Sequence, residues 1–467
     1  MRSRSDETVI LGGGLAGLTM ARELLRAGRS VTVLERAPVF GGLARTLERD
    51  GVRFDLGGHR FHSNNPEVVA WAKELLGDDL IEVERRSRIY IGGKFVDYPI
   101  HFPGAFGIFT PLQAARVATS YLSTFFSSRD GGDVSFEDWV VRRFGRALYD
   151  VYFRPYTQKL WGIPCTELSA DWASARISIP SLPQTLRHAI APGRQTPRTA
   201  VRSFYYPRWG FGMICERLTD EIVSRGGRLL TRAELLGLNP GPDETEVLWK
   251  GQDGVEETIR CRRVISTIPL EALLAALPAD SGAREVADRF RLDYRGIVLI
   301  CLAIAKGSVS GDQWTYFPGG DLLIGRSHEP KNWSRDMIPR QEVTSLAVEV
   351  FSSEGEPAWS WGDDKIAGRA VAEIERIGWL SKGQVIGSWV LRVPYAYPLY
   401  RIGYAERVGE VRSFLQRYPG LMLVGRTGTF KYLNSDGVIE DCLKLLCELV
   451  PESAVRVRRL RDAGRWV

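Results

Sequence analysis

The feature that most constrains this chain is Thr8-Val9-Ile10-Leu11-Gly12-Gly13-Gly14-Leu15-Ala16-Gly17-Leu18. It predicts a buried strand, a glycine-rich turn and the first turn of a helix, with Gly12, Gly14 and Gly17 spaced as G-x-G-x-x-G. The three glycines permit, in turn, a tight turn, close approach of backbone to a pyrophosphate, and close helix–strand packing. The helix N-terminus, with unbonded N–H groups and the positive end of its dipole, then faces phosphate. The pattern continues with a helix over Ala16–Ala27 that stops at Gly28. A second strand, Ser30–Leu34, closes on Glu35, an acid able to accept from ribose hydroxyls. A dinucleotide-binding βαβ unit is the expectation; an ordinary tight turn of an α/β fold is the alternative.

With 467 residues the chain is long enough for two or three lobes with substantial cores. Its 44% apolar and 25% charged residues are ordinary for a soluble globular enzyme. The net charge of +6 is mildly basic and has its densest cluster at Arg456-Val457-Arg458-Arg459-Leu460-Arg461. A solvated charged end is the plain reading of that cluster; peripheral contact with an anionic membrane is left open. The basic residues form no long stripe, which argues against nucleic acid as a partner. Met1 to Glu7 lacks an apolar h-region and no stretch is long and apolar enough to span a bilayer, so neither a signal peptide nor a transmembrane segment is expected. The six cysteines form no C-x-x-C pair, and Cys442 and Cys447 fall on different faces of an expected helix. They read as core residues of a protein in a reduced, cytoplasmic compartment. No metal site is expected, because His62, His101, His188 and His328 lack ligand-like spacing.

Two further glycine patches follow the first unit, Phe40-Gly41-Gly42-Leu43-Ala44-Arg45 and Phe54-Asp55-Leu56-Gly57-Gly58-His59, suggesting backbone pressed against a large ligand. From Glu67 to about Arg202 apolar residues recur at three- and four-residue spacing over Ala70–Leu76, Leu112–Phe126 and Phe136–Val151, predicting an inserted helical lobe. Polar, Pro-containing sequence over Pro192–Thr199 predicts a loop. A helix over Met213–Arg225 and strands near Arg228, Glu246 and Arg263 return to α/β character, and Ile297–Phe351 alternates as a separate sheet. The end of the chain reads strand, loop, helix, over Leu421–Arg426 and Val438–Leu449.

A nucleotide-binding unit that opens the chain and whose last strand and helix close it resembles the glutathione-reductase-type FAD fold. Glu35, Phe40-Gly41-Gly42 and Ser266-Thr267-Ile268-Pro269, similar to a recurrent S-T-x-P turn, carry that resemblance. It covers nearly the whole chain and embraces amine oxidases, protoporphyrinogen oxidases, carotenoid desaturases and UDP-galactopyranose mutases. It implies an α/β architecture: a Rossmann-like FAD-binding domain, an inserted helical lobe and a second, mixed β-sheet substrate domain. The expected division is 1–66, 203–290 and 400–467 for the FAD-binding domain, 67–202 for the helical lobe and 291–399 for the sheet. Four segments are similar to the mutases in particular: Tyr156-Thr157-Gln158-Lys159-Leu160-Trp161-Gly162, Arg326-Ser327-His328-Glu329-Pro330-Lys331-Asn332-Trp333, Tyr395-Ala396-Tyr397-Pro398, and Gly425-Arg426 with Phe430-Lys431-Tyr432-Leu433-Asn434.

The mutase resemblance implies covalent catalysis without net oxidation, in which N5 of reduced flavin attacks the anomeric carbon of a UDP-galactose-like substrate and the sugar ring recloses through another hydroxyl. It implies FAD at Gly12, Gly14, Leu15, Ala16, Gly17, Glu35, Arg36, Gly42, Leu43, Arg45, Gly58, His59, Gly425, Arg426, Asn434 and Val438. On the substrate side it implies Arg326 and Arg176 on the diphosphate, Tyr397 and Tyr432 beside them, Trp161 at the sugar and His59 at the flavin. Each has an ordinary structural alternative, a surface ion pair for the arginines and core packing for the aromatics. A nucleotide sugar or related sugar diphosphate is the implied substrate, with NAD(P)H or another reductant reducing the flavin; oligomeric state is open. This sequence departs from the mutases at Phe211 and Phe430, where they have tyrosines, and at Asn434, where they have an aspartate. The competing expectation is a redox flavoenzyme, an oxidase, dehydrogenase or desaturase, on the same scaffold. A flavin-bound interaction protein without turnover is disfavoured by the number of polar residues expected near the ring.

Overall fold

The structure, a computed structural model, describes residues 8–98, 110–126, 132–177, 203–338 and 340–451. The basic cluster at Arg456 to Arg461, the loop over Pro192–Thr199, His101 and His188 lie outside the described residues. The chain divides into two compact units, one of residues 1–81, 205–292 and 406–467, the other of residues 82–204 and 293–405.

The first unit is built on a parallel sheet of five strands. Strand Thr8–Leu11 lies at its centre, paired with Val31–Glu35 on one side and Arg263–Ser266 on the other. Arg228–Thr231 and Leu421–Leu423 complete it. Every residue of Thr8–Leu11 is buried, as a parallel strand covered on both faces requires, and this is why its sequence is continuously apolar rather than alternating. Helices Leu15–Arg26, Met213–Ser224 and Ser435–Leu449 bury apolar stripes. A three-stranded antiparallel sheet, Glu234–Pro240, Thr245–Lys250 and Glu256–Cys261, stands apart. The S-T-x-P turn is a tie-point: the Thr267 amide and hydroxyl both donate to Leu11 O at 2.9 Å, and Thr427 Oγ1 donates to Thr267 O at 2.7 Å.

One interior feature of this unit has no sequence signal. Arg22 is 2% exposed and donates from Nη1 to Glu23 at 2.7 Å, from Nε to Glu221 at 2.6 Å and from Nη2 to Glu74 at 3.3 Å. Trp71 Nε1 also donates to Glu23, at 2.9 Å. Burial opposes the charge, but the three carboxylates prevail and hold the guanidinium proton more tightly than usual. The cluster ties the first helix to Pro66–Leu76 and Met213–Ser224.

The second unit is built on a seven-stranded sheet, in order Val385–Pro398, Tyr294–Ile304, Thr344–Val350, Arg326–His328, Trp314–Tyr316, Ser87–Ile91 and Lys94–Asp97. The last two strands come from the segment expected to be mostly helical; Ser87–Ile91 pairs parallel with Trp314–Tyr316. Period-2 alternation over such short runs is hard to see between longer helical patterns. One face packs against helix Asp363–Arg376 through Val298, Ile300, Leu302, Leu346, Val348, Ile366 and Ile374. The opposite face carries Arg326, Glu349, Trp314 and Tyr316, set by strand alternation and by the pairings Arg326↔Glu349 and Tyr316↔Arg326. Helices Pro111–Ser123, Phe136–Phe144, Arg154–Trp161 and Ala170–Arg176 belong to the same unit. No helix among the described residues is long and apolar enough to cross a membrane.

Removing Arg22 leaves the buried Glu23 carboxylate without its counter-charge, with the Trp71 donor remaining. Arg22→Ala is therefore expected to destabilise the protein by about 3–5 kcal/mol, read from the urea midpoint at unchanged m-value.

Candidate functional site

In the first unit, sixteen residues expected to hold a dinucleotide can be located one by one. Gly12 has φ +98°, and a Cβ on Gly17 would stand 1.9 Å from Gly12 O, so the helix meets the strand only because Gly17 lacks one. The second glycine patch folds onto the first: Gly41 N donates to Gly13 O at 2.8 Å, and a Cβ on Gly42 would lie 3.1 Å from Gly14 Cα. Leu15 and Ala16 open a helix whose N-terminus has no side-chain cap and no acidic residue in its first turn. Its N–H groups and dipole end are therefore left to an anion.

Glu35 closes the second strand, but its carboxylate is already engaged. Oε2 accepts from Gly13 N and Oε1 from Ala37 N, each at 2.7 Å. Each oxygen keeps a second lone pair, so Glu35 both fastens the turn and retains acceptor capacity. Arg45 has a buried Nε without a hydrogen-bond partner; burial lowers its basicity, against the pull of Glu35. Arg36 is exposed and Leu43 half-buried.

The end of the chain reaches the same helix. Gly425, at φ +81°, could not carry a Cβ without meeting Ala16 Cβ at 2.6 Å, and its N–H donates to Asp441 at 3.1 Å. Arg426 lies 4.5 Å from the centre of the Tyr432 ring and donates to Leu433 O at 3.2 Å. Asn434 is the N-cap residue of Ser435–Leu449 with its side chain unused in capping, and Val438 is buried in that helix.

Gly58 and His59 also lie in this unit, with His59 stacked on Phe211 at 5.0 Å. Phe211, fully buried, supports the histidine. The group that sets this arrangement is Asp55. Its carboxylate accepts from Thr46 Oγ1 at 2.6 Å, from Phe211 N at 3.0 Å and from the Tyr206 hydroxyl. Burial pushes its pKa up to about 6, held back from rising further by those three donors.

In the second unit three sequence-distant segments converge. Arg326 Nε donates to Glu349 at 2.9 Å; its Nη2 donates to Glu349 and to the Tyr397 hydroxyl. Trp161 meets Tyr397 edge-on at 6.1 Å. Rings of Trp314, Phe351 and Tyr397 stand 5.2, 5.1 and 5.8 Å from the guanidinium carbon. Burial opposes Arg326's charge, yet the Glu349 carboxylate more than restores it. Arg176 ends helix Ala170–Arg176, and its side chain lies outside those described. Tyr432 and His59 belong to the first unit, not to this cluster.

Sequence reasoning missed Glu349, Arg295 and Asp55. Glu349 had a signal: a lone acid in the buried strand Thr344–Val350. Arg295 had none; it donates to Leu160 O at 2.8 Å and Phe351 O at 2.7 Å, locking the Trp161 segment to the strand end that bears Phe351. Other residues of the mutase-like segments serve the fold. Lys159 Nζ bonds the carbonyls of Phe317, Gly319 and Ile324 at 2.7–2.9 Å. Glu329 accepts from Val309 N at 2.9 Å and Ser310 N at 2.8 Å, and Lys331 bonds Val343 O at 2.8 Å. Among the described residues no group of histidine, cysteine and acidic side chains could hold a metal ion.

The family profile of flavin-containing amine oxidoreductases matches residues 15–427, and the chain belongs to that family. A coproporphyrinogen III oxidase of Mycobacterium tuberculosis is 27% identical over 463 residues, covering 92% of this chain and 93% of that protein. A phytoene dehydrogenase of Streptomyces griseus is 56% identical over 271 residues, 50% of each chain. A crystal structure of reduced UDP-galactopyranose mutase superimposes with a TM-score of 0.81 at 20% identity, over 98% of both chains, and so shares the fold.

The cofactor is FAD. The first unit suits it: an uncapped helix N-terminus for the pyrophosphate, the Gly14–Gly42 approach that a Cβ would fill, and the unpartnered Arg45 Nε. Gly17→Ala is expected to leave purified protein with a small fraction of the wild-type flavin, measured by absorbance against protein. Gly368→Ala, where the added methyl meets nothing, keeps full flavin content.

Asp55 also makes stability pH-dependent. Its folded value of about 6 lies above the unfolded 3.8, so the folded state binds the extra proton in between. Its stabilisation is complete below about pH 4 and is lost as pH rises through about 6, on the order of 3 kcal/mol in all. Urea titrations from pH 4 to 7 are expected to show this loss, and Asp55→Asn to flatten it.

Proposed function

We propose that this member of the flavin-containing amine oxidoreductase family interconverts pyranose and furanose forms of a UDP-galactose-like nucleotide sugar with reduced FAD. The observation that supports the reading most is the convergence of three mutase-like segments, through Trp161, Arg326 and Tyr397, on one buried guanidinium. When bound, reduced flavin supplies a nucleophilic nitrogen. This chain's residues have the remaining work: to hold the substrate, exclude water and steady the leaving diphosphate. Arg326 is fixed in one rotamer by Glu349 and Tyr397, so little conformational freedom is lost when it meets a substrate. Tyr397 bonds the guanidinium and carries Trp161 edge-on against its ring, and His59, stacked on Phe211, is the residue assigned to the flavin side.

A second reading, a redox flavoenzyme, has its own support. Glu349 cancels the charge of Arg326, and an arginine so compensated holds a diphosphate less strongly than a lone one. The relative matched over nearly its whole length is an oxidase.

One experiment separates them. Dithionite-reduced protein is incubated anaerobically with UDP-galactose and a panel of other nucleotide sugars, and furanose product is sought by chromatography. Product from at least one sugar supports the mutase reading. No product, together with rapid reduction of the oxidised flavin by a porphyrinogen or an amine, supports the redox reading instead. Under the mutase reading Arg326→Lys, which keeps a charge but loses the planar fork, lowers turnover roughly 100- to 1,000-fold at unchanged flavin content.

A further inference from the structure

Helix Pro111–Ser123 of the second unit is seated through one face and turns an apolar row outward. A capping box between Thr110 and Gln113 opens it. Bonds from Thr124 N, Phe125 N and Phe126 N to the carbonyls of Tyr121, Leu122 and Ser123 carry the chain one turn further. The inner face, Ala114, Val117, Ser120, Tyr121 and Thr124, is half-buried. It lies against the short helix Arg146–Leu148: Ala147 N donates to Ser120 Oγ at 3.1 Å, and a Cβ on Gly145 would stand 2.5 Å from Ser120 O. The outer face carries Leu112, Ala115, Thr119, Leu122 and Phe126, all exposed and alternately three and four positions apart. Leu112 is 73%, Leu122 57% and Phe126 90% exposed.

That spacing is the repeat by which one helix packs along another. A surface helix ordinarily turns charge to water, yet from Thr110 to Phe126 the single charged residue is Arg116. Thr119 does not interrupt the row, because its hydroxyl already donates to Ala115 O at 3.0 Å and to Arg116 O at 3.1 Å. The order of sizes identifies the occupant. Small Ala115 and Thr119 precede large Leu122 and Phe126, so an antiparallel copy of the same helix sets Phe126 over Ala115 and Leu122 over Thr119. It does so in both directions at once, as a two-fold axis requires. In that register Arg116 falls beside Phe125 of the second copy, where a ring face suits a guanidinium, and away from its own image. A parallel pair would instead set Phe126 on Phe126 and leave a gap at Ala115. The exposed side chains of Leu112, Leu122, Phe125 and Phe126 offer on the order of 500 Å² per copy, so a pair covers about 1,000 Å², the lower limit for a specific interface.

We propose that the outer face of helix Pro111–Ser123, continued to Phe126, is an interaction surface for a second copy of this chain, the two helices meeting antiparallel about a two-fold axis. The surface stands whichever reaction the flavin performs. Its modest area makes the dimer reversible, with a dissociation constant in the micromolar range.

The test is sedimentation of the FAD-loaded full chain from about 1 to about 100 μM, for wild type, Leu122→Glu and Phe126→Glu. The expected result is a monomer–dimer equilibrium for wild type and a dissociation constant raised at least about a hundredfold in either variant, at unchanged flavin content and urea midpoint. Arrangement is read separately by oxidising chains that carry one added cysteine, in a protein whose six native cysteines are buried or half-buried. An equimolar mixture of Thr119→Cys and Leu122→Cys chains is expected to give the mixed disulfide dimer, with little dimer from either alone. This second measurement decides the matter even where a glutamate variant fails to fold. A wild-type chain that stays monomeric at about 100 μM overturns the proposal, as does a dimer indifferent to both glutamates. Crosslinking of each cysteine chain with itself but not in the mixture overturns the antiparallel arrangement. Monomeric wild type that sediments with phosphatidylglycerol vesicles, and loses this with Phe126→Glu, assigns the face to a membrane surface and overturns the second copy as its occupant.

Discussion

The first unit depends on the contact between Gly17 and the carbonyl of Gly12. A single methyl group there would stand 1.9 Å from an oxygen, which no rotamer can relieve. Because it is absent, the helix Leu15–Arg26 seats its N-terminus directly over the end of strand Thr8–Leu11. The same closeness brings Gly41 N to Gly13 O and Gly425 to Ala16, so three distant pieces of chain meet around one helix end. A helix end crowded by glycine backbone and left without a side-chain cap is a place for an anionic ligand to complete. That is the physical content of the flavin assignment.

Three buried charged groups show how differently burial can be resolved. Arg22 is surrounded by carboxylates and keeps its charge, tying three helices together. Asp55 has only neutral donors around it, and burial raises its pKa towards neutrality against their pull. Glu349 is matched by a single guanidinium and satisfied on one oxygen. The first arrangement serves stability alone. The second fixes the turn that carries Phe211, and through it the ring of His59. The third leaves one buried carboxylate oxygen without a donor among the described residues.

Local sequence was a good guide wherever a short-range constraint was strong. The G-x-G-x-x-G turn, the flanking strands and Glu35 were legible because φ > 0 and close backbone approach restrict residue type within a few positions. The closing strand Leu421–Leu423 and helix Ser435–Leu449 were legible from a short apolar run and a helical apolar pattern. Less was visible in the second unit. Strands Ser87–Ile91 and Lys94–Asp97 hid among helical patterns, since five residues of alternation are too few to assert a period. The mutase-like segments were real signals, but Lys159, Glu329 and Lys331 turn out to bond backbone groups, so much of the similarity reports shared folding.

By itself, then, the sequence determined a glycine-rich nucleotide-binding unit, its acid at Glu35 and its closure by both ends of the chain. The turn and its acid follow from steric limits that act between near neighbours, and the closure from the resemblance to a known fold. What only the tertiary structure decided is the company each charged residue keeps. The mutase resemblance implies Arg326 on a diphosphate, with a surface ion pair as the alternative; in the fold it is paired, in the interior, with Glu349, which lies 23 positions away and reaches it across adjacent strands. Electrostatic character depends on distance in space rather than along the chain, and strand register, which sequence leaves open, sets that distance.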